Sequence, residues 1–73
     1  MMIKIYSKDN CSHCVSAKSF LTQKNLEYTE VVIGEDITRE EFVEQYPSIG
    51  TVPAIFIDSE FIGGFKQLIN IIK

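Results

Sequence analysis

The chain has 73 residues, of which 45% are hydrophobic and 23% charged, and its formal net charge is -3 at pH 7. This length and composition are typical of one small globular domain, 1–73, and exclude a disordered or low-complexity chain. Because no apolar run approaches the roughly 18 residues of a membrane span, and the first residues do not form a signal-peptide core, we expect a cytoplasmic protein.

The first half of the chain predicts a strand, a helix and a second strand. Apolar residues alternate over 3–6, as in a half-buried strand, and a polar, turn-forming stretch follows at 7–10. Helical spacing then relates three residues that would share a buried face, namely Cys14, Ala17 and Leu21. Residues 28–33 are β-branched and aromatic and predict the second strand, which Gly34 ends.

The second half predicts two helices around a pair of strands. Thr38–Glu41 has the form of a capping box and would begin a helix that ends before Pro47. One side of that helix would carry Phe42, Val43 and Tyr46. Ala54–Ile57 is a continuous apolar run, typical of a strand covered on both faces, and a short partner strand would follow through Ile62. After Gly63-Gly64, helical spacing predicts a last apolar face of Phe65, Leu68, Ile69 and Ile72.

The predicted order is therefore β-α-β-α-β-β-α. A helical crossover between the first two strands implies that they pair in parallel, whereas the final hairpin adds antiparallel strands. We predict an α/β fold with a small four-stranded mixed sheet and helices on both faces.

The chemistry of the chain is concentrated in its two cysteines, Cys11 and Cys14, which stand where the first strand gives way to the first helix. A helix N-terminus offers unpaired N–H groups and the positive end of the macrodipole, which together stabilise a thiolate at Cys11. Cys14 would lie one turn further on, on the buried side, and could attack a mixed disulfide formed at Cys11. This spacing favours thiol redox chemistry.

Three other interpretations of the cysteine pair stay open. A structural disulfide that closes about 4 residues would stabilise the fold by only roughly 2 kcal/mol. A zinc site would have three donors, Cys11, His13 and Cys14, and would need a carboxylate or a second chain to complete it. A chance pairing of two inert cysteines is the third alternative, since Cys14 alone could be a core residue.

Charge is unevenly spread along the chain. Residues 27–44 contain seven acids and one base, Arg39, a local charge of -6, so that the rest of the chain carries +3. A mildly positive surface near the cysteines would favour anionic thiol substrates. Since no basic stripe is interleaved with aromatic residues, we expect no nucleic-acid partner.

With these elements in place, the chain resembles a glutaredoxin, the short branch of the thioredoxin-like fold. Four features carry the resemblance in the right order: Lys8 three residues before Cys11, the motif Cys11-Ser12-His13-Cys14, Thr51-Val52-Pro53, and Gly63-Gly64-Phe65. The resemblance implies a dithiol glutaredoxin of bacterial or phage type that reduces protein or glutathione-mixed disulfides. It further implies glutathione as co-substrate and no bound metal or prosthetic group.

The resemblance also implies individual roles for the site residues. Cys11 would be the nucleophile and Cys14 the resolving thiol. Lys8 would meet the glycyl carboxylate of glutathione and help to hold the thiolate, and His13 occupies an aromatic position beside that ligand.

The remaining binding residues follow from the same resemblance. The backbone of Val52, flanked by Thr51 and placed before a cis Pro53, would pair with the cysteinyl part of glutathione. Gly64 and Phe65 would offer backbone N–H groups to the γ-glutamyl carboxylate at a helix start.

Two positions depart from the family pattern. Ser12 and His13 replace the common Pro-Tyr pair, so the helix lacks a proline in its first turn and carries a group that titrates near neutral pH. We hypothesise that protonated His13 stabilises the Cys11 thiolate and makes the disulfide more oxidising. Lys66 stands where many glutaredoxins have an acid that pairs with the α-amino group of glutathione, and this predicts weaker glutathione binding.

Two further functions remain as alternatives. One is a glutaredoxin-like hydrogen donor recharged by thioredoxin reductase. The other is a binding protein in which two chains bridge an iron-sulfur cluster through Cys11 and glutathione. In the leading interpretation the partners are disulfide-containing proteins, with ribonucleotide reductase as one candidate, and the protein acts as a monomer.

Overall fold

The predicted order of elements is confirmed by the structure, a computed structural model that describes residues 1–72. Lys73, the last residue of the expected domain, lies outside the described residues. The elements are β1 (Ile3–Ser7), α1 (Ser12–Gln23), β2 (Thr29–Val32), α2 (Arg39–Gln45), β3 (Ala54–Ile57), β4 (Glu60–Gly63) and α3 (Phe65–Ile71).

The four strands form one mixed sheet in the order β2-β1-β3-β4. β1 pairs in parallel with β2, in a register that sets Ile5 beside Glu30, and antiparallel with β3. β3 and β4 form the predicted hairpin, whose turn residues Asp58 and Ser59 have φ values of 50° and 70°. Left-handed conformations at both turn positions match the right-handed twist of the strands that they connect.

Helices cover both faces of the sheet, as predicted, and each face has its own apolar cluster. On one face α1 and α3 pack through Ala17, Leu21 and Leu68 onto Ile3, Ile5 and Ile55. On the other face α2 contributes Phe42, which packs with Tyr6, Ala54 and Phe56. The cysteine-bearing helix is thereby fixed over β1, the strand that leads into it.

The capping box of α2 is present as the sequence predicts. The Glu41 N–H donates to the Thr38 hydroxyl at 3.0 Å, and the Thr38 N–H donates to the Glu41 carboxylate at 2.9 Å. The predicted apolar side of this helix is wrong at Val43, which is 48% exposed while Phe42 is buried. A short helix of two turns presents only a narrow apolar face to the sheet. Val43 lies beside that face and not within it.

Within residues 1–72, no helix is long and apolar enough to cross a membrane.

Candidate active site

Cys11 occupies the N-cap of α1 and is half-buried. Asn10, just before it, has a φ of 58°, a left-handed conformation that asparagine tolerates better than most residues and that turns the chain into the helix. The Cys14 N–H points back at the Cys11 sulfur, with a nitrogen-to-sulfur distance of 3.2 Å. An unpaired donor of the first helical turn therefore faces the sulfur, which is the arrangement that favours a thiolate there.

Cys14 lies on the inner side of the same turn and is only 1% exposed. The two residues form a disulfide, with their Cα atoms 5.3 Å apart. A thiol that emerges from this disulfide at position 11 can meet a substrate, whereas one at position 14 can meet only its neighbour. The predicted difference in exposure between the two sulfurs is confirmed.

A cavity of about 620 Å³ opens beside Cys11. Of the seven binding residues that the sequence predicts, it brings together four, Lys8, His13, Thr51 and Val52. The other residues that line it are Asn10, Ser12, Ile33, Arg39, Phe42, Val43, Ile49 and Gly50.

The side chains around this cavity give it a positive character. Lys8 and Arg39 both line it, together with the exposed imidazole of His13, and none of the lining residues in the described chain is acidic. This is notable in a chain of net charge -3. Cations that line a cavity of this kind attract anions and favour negative charge on a neighbouring sulfur.

Arg39 was missed as a site residue in the sequence. It is the single base within the acidic segment 27–44, and it is the first residue of α2, next to the cap Thr38. The signal that could have found it is its isolation, because one cation among seven acids has no neighbouring cation to share a surface with.

The three remaining predicted binding residues lie next to the cavity and do not line it. Pro53 follows a cis peptide bond, as the resemblance implies, and is buried. Gly64 adjoins it, since a Cβ on Gly64 would lie 3.5 Å from the Pro53 carbonyl oxygen. Phe65 packs its ring against Phe20 and the apolar cluster, with the ring centres 6.3 Å apart.

The N–H group of Gly64 already has a partner. It donates to the side-chain oxygen of Gln67 at 2.9 Å, a hydrogen bond within the first turn of α3. Gly63, with a φ of 116°, leaves the space that Gln67 fills, because a Cβ there would come within 2.8 Å of the Gln67 Cγ.

A larger cavity of about 860 Å³ lies between Met1, Tyr28, Tyr46 and Ser59. It contains neither cysteine and none of the predicted site residues. We therefore place the chemistry in the smaller cavity, beside Cys11. Among residues 1–72, no group of three or more His, Cys, Asp or Glu side chains is placed to hold a metal ion.

Comparisons with known proteins agree with one another and point to glutaredoxins. A family model described as Glutaredoxin matches residues 3–62, which include both cysteines and every residue that lines the smaller cavity. The chain is 38% identical to glutaredoxin 1 of Rickettsia prowazekii over 74 residues, covering 97% of this chain and 77% of that protein. It is 39% identical to glutaredoxin 3 of Escherichia coli over 67 residues, covering 90% of this chain and 80% of that protein.

The fold is also similar to that of solved structures. A crystal structure of glutaredoxin 1 from Francisella tularensis, complexed with cacodylate, superimposes with a TM-score of 0.83 and 36% sequence identity. The match covers 94% of this chain and 88% of that one.

Proposed function

The chain belongs to the glutaredoxin family of thiol-disulfide oxidoreductases, and from this membership we propose that glutathione supplies its electrons. The observation that carries the proposal is the cavity beside Cys11, which is lined by the cations Lys8 and Arg39 and by no acid of the described chain. Glutathione is an anionic thiol peptide, so this field favours it both as a mixed-disulfide substrate and as the reductant.

In the proposed cycle the Cys11 thiolate attacks a substrate disulfide. A bond forms between the Cys11 sulfur and one substrate sulfur, and the other sulfur leaves as a thiolate that takes a proton from water. Cys14 then loses its proton and attacks the Cys11 sulfur, which releases the second substrate thiolate and leaves the disulfide of this structure. Two glutathione molecules restore the dithiol by two further exchanges and depart as oxidised glutathione.

We assign the carboxylates of glutathione to two sides of the site. Lys8, with Arg39 added to the predicted set, would hold the glycyl carboxylate, and His13 would lie against the ligand. Charge-assisted hydrogen bonds of this kind are roughly twice as strong as neutral ones, so two cations can orient the glycyl end of the peptide.

The rest of the ligand would run along the loop before β3 towards the start of α3. The backbone of Val52, flanked by Thr51 and followed by cis Pro53, would pair with the cysteinyl part, and Gly64 and Phe65 would receive the γ-glutamyl carboxylate. In the structure the Gly64 N–H donates to Gln67. In this proposal that hydrogen bond has to be exchanged when the carboxylate binds.

The cellular setting belongs to the same proposal. We propose that 1–73 acts as a single-domain monomer in the cytoplasm, without a resident cofactor, on disulfide-containing proteins such as ribonucleotide reductase. Cytosolic disulfides are commonly transient and catalytic, which agrees with a redox pair that is the chain's entire complement of cysteine.

The reduction of hydroxyethyl disulfide tests the choice of reductant. The protein is assayed with glutathione, glutathione reductase and NADPH, and in parallel with thioredoxin reductase and NADPH alone. We expect turnover in the first mixture and little in the second. Turnover only in the second would overturn the proposal and support a hydrogen donor recharged by thioredoxin reductase.

Replacement of His13 by tyrosine is expected to lower the reduction potential of the disulfide. His13 is exposed in the first turn of α1, where its protonated form would stabilise the Cys11 thiolate and hence the reduced state. We expect a decrease of about 15–30 mV, which is a three- to tenfold change in the equilibrium with a glutathione buffer at pH 6. Equal potentials of the two proteins in that buffer would contradict a role for His13.

Replacement of Lys66 by aspartate is expected to tighten the use of glutathione. Lys66 is exposed at the start of α3, next to Phe65, where its charge opposes the α-amino group of the ligand. Because exposed charges are screened, we expect the apparent KM for glutathione to fall only about two- to fivefold. Lys24→Asp makes the same charge change at the far end of α1, and an equal effect of both variants would rule out a local contact.

A further inference from the structure

Outside the cavity, the structure contains a cluster of polar side chains that joins α1 to the sheet and that the proposed cycle does not use. The Glu30 carboxylate on β2 accepts a hydrogen bond from Lys18 Nζ of α1 at 2.8 Å. The same carboxylate oxygen accepts a hydrogen bond from the Ser7 hydroxyl at 2.6 Å. Ser7, the last residue of β1, is only 1% exposed, so the cluster reaches into the interior between sheet and helix.

Sequence spacing on α1 relates this cluster to the buried cysteine. Lys18 follows Cys14 by four residues on α1, and side chains with this spacing share one helix face at about 5–6 Å between Cβ atoms. Long side chains on a helix generally lean towards its N-terminus, which for position 18 is the direction of the turn that holds Cys14. The register that sets Glu30 beside Ile5 places its carboxylate on the sheet face that α1 covers.

The two charges are fixed and opposite. Hydrogen bonds from Lys18 and then from Ser7 lower the pKa of Glu30 below its ordinary value, so the carboxylate stays ionised over the range in which thiols titrate. The side chains of Lys18 and Glu30 are 30% and 28% exposed, so their fields are screened by solvent but not abolished.

We infer that the Lys18–Glu30 pair governs how readily the Cys14 thiol ionises, and thereby how fast a mixed disulfide at Cys11 is resolved. Lys18 alone would stabilise the Cys14 thiolate, and Glu30 alone would oppose it. Held together, the two charges act on Cys14 in opposite directions, so the removal of either one should shift its ionisation in a direction set by the charge that remains. The inference rests on the proposed roles of the two cysteines, but not on glutathione as the reductant.

Other ionisable groups surround the same helix, and their effects on Cys14 must be distinguished from the effect of the Lys18–Glu30 pair. They are His13 and Lys24 on α1, Cys11 at its N-cap, Tyr28 before β2, Lys66 on α3, and Lys4, which lies against the Tyr6 ring on the opposite face of the sheet. Of the groups in residues 1–72, only Glu30 forms an ion pair with a residue of α1.

The test compares Glu30→Gln with Lys18→Met, two substitutions that keep the approximate side-chain shape and remove opposite charges. Cys11 attacks Ellman's reagent, which leaves a thionitrobenzoate group on Cys11 and releases a first yellow thiolate; attack by Cys14 on the Cys11 sulfur then releases the bound group as a second, and the rate of this second release is measured. In a Cys11→Ser background, the ¹³Cβ shift of Cys14 reports its titration midpoint without any substrate. Neither measurement involves glutathione, so a failed glutathione assay leaves this test intact.

We expect the two variants to change Cys14 in opposite directions. Glu30→Gln should raise the thiolate fraction at pH 7 about threefold and Lys18→Met should lower it about threefold. Release rates should change by only about twofold each way, because a less basic thiolate is also a weaker nucleophile. The double variant should return close to the original values.

Glu44→Gln and Lys24→Met serve as matched controls, since they remove the same charges from exposed positions on α2 and at the end of α1. Shifts of the same sign in both test variants, or none in either, would overturn the inference, because a purely structural tie between α1 and β2 gives no opposed signs. If one variant fails to fold, the sign of the other decides.

Discussion

Cys11→Ser is expected to reduce disulfide reductase activity to the uncatalysed background, a loss of more than about 1000-fold. Its sulfur is the one that the fold leaves open to the cavity, at the N-cap of α1 and within reach of the Cys14 N–H. A serine hydroxyl does not ionise at neutral pH and does not exchange with disulfides, so neither Lys8 nor Arg39 can compensate. The measurement is the hydroxyethyl disulfide assay with glutathione, with Ser19→Ala in the same helix as the control.

Cys14→Ser is expected to change the activity on two kinds of substrate to different extents. A glutathione-mixed disulfide needs one exchange at Cys11, and a second glutathione can then free the enzyme, so this activity should stay within about tenfold of the original. A protein disulfide that becomes attached to Cys11 needs Cys14 for release, and reduction of insulin disulfides should be lost. If Cys14→Ser kept full activity on both substrates, the buried sulfur would have no part in the cycle.

Retained activity in Cys11→Ser would contradict the roles assigned to the two cysteines. If Cys11→Ser retained activity while Cys14→Ser lost it, the roles of the two sulfurs would be reversed despite the 1% exposure of Cys14. A folded Cys11→Ser protein with normal thermal unfolding is therefore needed beside the assay, so that loss of the sulfur is distinguished from loss of the fold.

The features predicted correctly from the sequence are those that depend on local pattern. Alternation in β1, helical spacing in α1 and the capping box at Thr38 each involve residues within a turn or two of one another, so the sequence alone contains the relevant contacts. The inward position of Cys14 follows from the same spacing, because it shares a helix face with Ala17 and Leu21. The sheet follows from the order of elements and the handedness of the crossover.

The features missed in the sequence depend on contacts between distant segments. Arg39 joins the cavity because the start of α2 comes to lie beside the loop that holds Lys8, and its isolation among acids does not indicate which segment it approaches. Likewise, the sequence does not distinguish Glu30 from the other acids of its segment. Only the parallel register, which places it beside Ile5 and within reach of Lys18, gives it a partner. Such contacts are set by strand register and helix docking, which a one-dimensional pattern does not specify.

Leu68→Ala is expected to be the most damaging of the simple core truncations on α3, with a loss of about 3 kcal/mol in the free energy of unfolding. Leu68 is 0% exposed and is the α3 residue that packs between α1 and the sheet. A chain of this size has a total stability of only about 4–11 kcal/mol. The midpoint of thermal unfolding should therefore fall by roughly 12–24 °C, measured by circular dichroism on the reduced protein.

Ile71→Ala on the same helix is the matched control, because Ile71 is 56% exposed and its truncation removes little buried surface. Its unfolding free energy should change by less than about 0.5 kcal/mol. If the proposed single domain is correct, Leu68→Ala should shift one transition as a whole, including the part of the fold around Cys11. A transition split into two, with the β1–α1 region unaffected, would show that α3 is not part of the same cooperative unit. In that case the start of α3, with Gly64 and Phe65, could not be held rigidly beside Pro53, and the proposed γ-glutamyl subsite would lose its structural basis.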